Sequence, residues 1–201
     1  MRSLRVLFVV ALAVLLSGCG YNAIQSKDEG VKAAWSEVLN QYQRRADLVP
    51  NLVNTVKGYA QHEEEVFTKV TEARANVGKI TISADDLADE AKLKQFQAAQ
   101  GELSSALSRL MAVSENYPQL KADGLFQNLQ AQLEGTENRI AVARKDYIDA
   151  VRVYNTELKT FPGVLWKTFL YADREPMQQL QVEPEKQEVP KVDFGTTGNS
   201  S

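Results

Sequence analysis

The chain has 201 residues, with 23 Lys and Arg against 26 Asp and Glu, one His, one Cys and a formal net charge of −3. That length fits one domain or two small ones, and hydrophobic and charged fractions of 44% and 24% exclude a wholly disordered chain and a polytopic membrane protein. A mildly acidic balance disfavours nucleic acid as a partner, and a single cysteine excludes an internal disulfide and a multi-cysteine zinc centre.

In chain order the first signal is residues 1–20, MRSLRVLFVVALAVLLSGCG, where Arg2 and Arg5 precede an apolar run over residues 6–16. This is the layout of an export signal. Eleven apolar residues fall short of the ~20 that cross a hydrocarbon core as a helix, so a retained span is the weaker reading. The run ends in Leu16-Ser17-Gly18-Cys19, which resembles the lipobox of bacterial lipoproteins. The resemblance implies diacylglyceryl transfer to the Cys19 sulfur, cleavage between Gly18 and Cys19, and acylation of the new amino terminus. Gly20 stands where an Asp would resemble an inner-membrane retention signal, so an outer-membrane anchor is expected where there is such a membrane. Removing residues 1–18 leaves 183 residues and a net charge of −5.

The motif Ser26-Lys27-Asp28-Glu29 reads as a capping box opening the first helix. A stripe then runs Val31, Trp35, Val38, Tyr42, Arg45, Val49, Leu52, Val56, Tyr59, Glu63, Val66, Val70, Ala73, Val77 in steps of four and three, the pattern of helix packed on helix. Pro50 interrupts it, so the chain either kinks there or folds back near 47–50. A single rod over 27–77 would be ~75 Å long, beyond the reach of a ~45 Å partner at 86–115. Fold-back is therefore preferred, although the preserved phase of the stripe argues for a kink.

Ser83 is placed to cap a helix beginning at Ala84-Asp85-Asp86, after a short β-rich stretch at residues 79–82. Its stripe is Leu93, Phe96, Ala99, Leu103, Leu107, Leu110, Met111. Beyond Asn116-Tyr117-Pro118, a last stripe runs from Leu125 to Phe161 in ten steps averaging 3.6 residues, the helical period. Phe161-Pro162-Gly163 stops it, and the aromatic stretch 164–171 is expected to pack a bundle end. The predicted organisation is a signal at 1–18, a tether at 19–25, a helical bundle at 26–175 and a mostly extended or disordered tail at 176–201. The predicted fold is all-α: an antiparallel up-down four-helix bundle with an extended C-terminal tail.

Chemistry is sparse. His62 opens His62-Glu63-Glu64-Glu65-Val66, which starts like the zincin HExxH but has Val66 in place of the second His. One His also defeats the di-iron bundle pattern, and neither a GxSxG elbow nor a Gly-rich phosphate loop occurs. No catalytic residue, metal site or cofactor is therefore expected. The notable residues are polar ones on or near the core stripes: Arg44, Arg45, Asp47, Asn51, His62 and Glu63, with Glu137, Asn138, Arg144 and Asn155 on the last helix. A buried charge costs several kcal/mol unless paired, so these residues either specify helix register or line a polar site, register being the preferred use.

Several stretches together resemble the LemA family of bacterial envelope proteins. They are Ala34-Trp35, the run from Arg44 through Asp47-Leu48-Val49-Pro50-Asn51-Leu52-Val53, Lys57-Gly58-Tyr59-Ala60, His62-Glu63, Tyr117-Pro118, Thr136-Glu137-Asn138-Arg139-Ile140, Ala143-Arg144, Tyr154-Asn155 and Val189-Pro190-Lys191-Val192-Asp193-Phe194. The resemblance implies a four-helix bundle at the bacterial envelope with no established enzymatic activity and no catalytic residues to carry over. The family also includes a protein needed to form magnetosome membranes, which points to an organising role. Many relatives look as if they keep an N-terminal transmembrane helix, whereas this chain has a lipobox. The expectation is a lipid-anchored, periplasm-facing interaction or scaffold protein that contacts the membrane through its anchor and an envelope protein partner; the alternative is a bundle binding a small ligand or lipid through the polar stripe residues.

Overall fold

The structure, a computed structural model, describes the backbone of residues 2–181 and the side chains of residues 22–181. The expectations for the Gly18 and Cys19 side chains and for the tail at 182–201 lie outside the described residues. The chain is all-helical, with six α-helices and no strand among the described residues.

Helix α1, Arg2–Lys57, corrects two expectations. Ser26 lies inside it, so the Ser26 to Glu29 box opens nothing: a capping box needs the free N–H groups of a helix start, and here the preceding turn uses them. Pro50 also lies inside, and the helix does not fold back at 47–50. Its ring sits on the exposed face, while Val49 and Leu52 on either side keep the buried stripe in phase. Position 50 has no N–H to give the Ala46 carbonyl, and Arg74 Nε donates to that oxygen instead, at 3.0 Å. The break comes at residues 58–63. Gly58 is a poor helix former, and the acidic Glu64 and Glu65 suit the start of a new helix.

Helix α2, Glu64–Lys79, leads through an extended link to a 3₁₀ turn, Ala84–Ala88. Ser83 caps that turn through the Asp86 carboxylate, and Asp89 caps α3, Glu90–Ser114, by accepting from the Ala91 and Lys92 N–H groups. The one-turn α4, Pro118–Lys121, precedes α5, Gly124–Lys159, capped by Asp123 at the Phe126 N–H. Helix α6, Gly163–Phe169, turns back over the end of α5. A Cβ at Gly163 would stand 2.0 Å from the Glu157 carbonyl oxygen, so this corner needs glycine.

Contacts fix the packing. Lys27 meets Glu157, Trp35 meets Tyr147, Arg45 meets Glu137 and Tyr59 meets Asp123, so α1 and α5 run side by side in opposite directions. Helix α3 follows α1 in the same sense, with Phe96 against Trp35 and Tyr42, then Gln100 and Ser104 against Arg45. The apolar interior divides into a cluster around Trp35, Phe96 and Tyr147 and another around Val56, Phe67, Leu110 and Phe126. Residues 176–181 form neither helix nor strand, and Leu180 is buried in the first of these clusters.

Candidate functional site

Arg45 lies between the two apolar clusters and is 1% exposed. A guanidinium can be held there only if its donors are used. Nη1 donates to Ser104 Oγ at 2.6 Å and Glu137 Oε1 at 3.0 Å; Nη2 donates to Gln100 Oε1 at 2.6 Å and the Gln100 carbonyl at 3.1 Å. The cation stands 5.0 Å from the Tyr42 ring centre, while Nε has no partner. Burial pushes the Tyr42 hydroxyl above its usual pKa, opposed by the nearby charges of Arg144 and Arg45. One side chain of α1 thereby fixes the heights of α3 and α5. Any slip of a turn would break its bonds.

Above this layer a groove of about 640 Å³ opens between α3 and α5. Its floor is Arg45 and Tyr42, and its walls carry Ser104, Ser108, Glu137 and Arg144. Arg144 reaches across to donate to the Gln181 carbonyl at 2.7 Å, and Gln97 donates to the same oxygen at 2.9 Å. Asn155 clamps the tail further back, donating to the Met177 carbonyl and accepting from its N–H. Asn155 thus serves the chain's own tail, whereas Arg144 joins that tail to the wall of the Arg45 groove and acts on the Tyr42 hydroxyl.

The remaining predicted polar residues do not converge. Arg44, Asp47, Asn51 and Asn138 are exposed, with Asp47 accepting from Gln43 one turn away. His62 is exposed in the turn after α1. Glu63 sits at the N-cap of α2, half-buried, and accepts from the Tyr117 hydroxyl at 3.3 Å. Among the described residues no cluster of His, Cys, Asp and Glu is arranged to hold a metal ion. No helix among them is long and apolar enough to cross a membrane.

Sequence reasoning missed a second buried charge. Asp28 is 0% exposed and accepts from Lys32 at 2.9 Å and Arg174 at 3.0 Å, tying the segment after α6 to α1. The signal was present: Ile24 and Asp28 extend the same four-three stripe backwards from Val31. Gln100, Ser104 and Arg174 carried no comparable signal, because each meets its partner across helices.

The LemA family model matches residues 34–194. Magnetosome protein MamQ 2 of Paramagnetospirillum magneticum is 30% identical over 174 residues, covering 78% of this chain and 63% of its own. Magnetosome protein MamQ of Magnetospirillum gryphiswaldense is 26% identical over 178 residues, covering 81% and 65%. Protein LemA of Metamycoplasma hominis is 26% identical over 141 residues, covering 70% and 57%. The chain therefore spans somewhat under two thirds of the length of these relatives. With the family model covering residues 34–194, most of the chain, this chain belongs to the LemA family.

Proposed function

We propose that the protein is a lipid-anchored bundle of the bacterial envelope, held through Cys19 and acting without catalysis as an interaction or scaffold element for a protein partner. In this reading α1, α2, α3 and α5 form an antiparallel up-down four-helix bundle. It faces the periplasm from the outer membrane, or lies on the outer leaflet of the cytoplasmic membrane where there is no second one. The observation that carries it is the use of Arg45: its four hydrogen bonds go to the protein's own α3 and α5, so this buried charge sets register. The magnetosome names of two relatives support a membrane-associated role. Crosslinking in native membranes followed by affinity capture should recover one partner polypeptide reproducibly. Cys19→Ala should abolish metabolic lipid labelling and leave unprocessed precursor, and a labelled mutant would refute the anchor.

A second reading is favoured by the partnerless Arg45 Nε beneath the α3/α5 groove. There the groove takes a small polar ligand or lipid headgroup. Arg45→Met separates the readings: loss of a copurifying small molecule with helix content intact supports ligand binding, whereas unchanged capture of the protein partner supports the scaffold.

A further inference from the structure

We propose that α6 and the Phe161 corner form a bilayer-contacting surface, seated at the boundary of headgroups and acyl chains beside the anchor; this rests on the anchored reading above. Nine large apolar side chains are exposed among the described residues, and five of them fall within ten residues of sequence: Phe161 (80%), Val164, Leu165 (46%), Phe169 (77%) and Leu170 (56%). Exposed large apolar side chains concentrated in one short segment mark an interaction site.

The position of the patch names its occupant. Facing residues of α1 and α5 follow one register, Trp35 with Tyr147, Arg45 with Glu137 and Lys27 with Glu157. Extended past the end of α5, that register sets Phe161 level with residues 21–23 of α1. Ile24 is buried in the cluster against which Trp166 and Tyr171 pack, and Arg174 is bonded to Asp28, so the α6 segment is fastened to this end of α1. Along a helix rising 1.5 Å per residue, Cys19 stands only about 5 Å beyond residue 22, and the end of the 6–16 apolar run about 9 Å beyond it. Either a lipidated Cys19 or a retained apolar run therefore brings the patch to the depth where aromatic and aliphatic side chains enter a membrane interface. The surface would hold the bundle at a fixed tilt instead of letting it swing on its tether.

The full chain, reconstituted in phosphatidylcholine vesicles with or without brominated acyl chains, tests this by fluorescence quenching. A Phe169→Trp variant is compared with Val142→Trp, another exposed site, about 25 Å back along α5 from the end of that helix at Lys159. The added emission of Phe169→Trp should be quenched at least twofold by brominated lipid, and that of Val142→Trp should not change. Flotation with the vesicles but no quenching of Phe169→Trp overturns the surface and leaves the anchor standing. Failure to float overturns both. A blue-shifted, unquenched signal with a crosslinked dimer would place a second copy on the patch and also overturn the proposal.

Discussion

Arg74 on α2 donates its Nε–H to the Ala46 carbonyl of α1 at 3.0 Å, taking the place of the hydrogen bond that Pro50 cannot make. An interior proline ordinarily costs a helix about 3 kcal/mol, partly through the orphaned carbonyl four residues back. Here that carbonyl docks a second helix. A double-mutant cycle tests the link. Arg74→Ala should destabilise the native chain by about 1–2 kcal/mol by stranding a buried acceptor, and by clearly less in a Pro50→Ala background, where residue 50 supplies a donor. Costs in urea unfolding that are equal in the two backgrounds would show that the proline and the arginine act independently.

The same bond explains where reading the sequence succeeded and where it failed. The stripes of α1, α3 and α5 were legible because burial follows periodicity: Trp35, Leu103 and Val151 are all buried as spaced. The preserved phase across Pro50 was the correct signal for a continuous helix. It was outweighed because the proline was charged with a lost hydrogen bond, and the residue that supplies a substitute, Arg74, lies on another helix. Stripe ends were misread for a similar reason. Leu125 and Phe161 are exposed and Phe126 is buried instead, since helix ends are set by caps such as Asp123 and by which neighbour still covers them. Arg45 was visible as a charge on an apolar stripe. Its partners Gln100 and Ser104 were not, because spacing along one helix says nothing about the height of the next.

Removing Arg45 should be costly in a graded way. Arg45→Ala leaves the buried Gln100 amide oxygen without its donor and opens a hole between the two apolar clusters, an expected loss of about 3–5 kcal/mol. Arg45→Met should lose less, since it fills the space without a charge. Arg45→Lys should not restore stability, because an ammonium cannot span the fork from Ser104 to Gln100. Glu137 is 43% exposed on its side chain, so Glu137→Gln should cost no more than about 1 kcal/mol. Urea midpoints that rank Glu137→Gln as the more damaging change would assign the layer to the ion pair rather than to the α3 contacts.

Arg174 fastens the segment after α6 to Asp28, and the two substitutions should differ in reach. Arg174→Ala leaves Asp28 paired with Lys32, so global stability should fall by about 1–2 kcal/mol, while amide exchange should accelerate chiefly in residues 164–181. Asp28→Ala vacates a fully buried position on the α1 stripe and should also loosen residues 24–35. Equal exchange profiles for the two variants would mean that the pair does not define a separate opening unit.

Alkaline pH should unfold the chain through its buried tyrosines. Burial pushes the hydroxyls of Tyr147, Tyr42 and Tyr154 above the ordinary pKa near 10, and Tyr147 donates to the Gln178 carbonyl at 2.8 Å. The sign follows from which state holds the proton. Below about pH 10 both folded and unfolded chains keep these protons and stability is unaffected by them; above it the unfolded chain ionises while the folded chain does not, so each such tyrosine withdraws up to about 1.4 kcal/mol per pH unit. Tyrosinate absorbance at 295 nm from these residues should therefore rise together with the loss of helical ellipticity at 222 nm. Tyr147→Phe, which has no proton to lose, should move that shared midpoint to higher pH even though it forfeits the Gln178 bond at neutral pH. Complete tyrosine ionisation with helicity retained would show that water reaches these hydroxyls in the folded state.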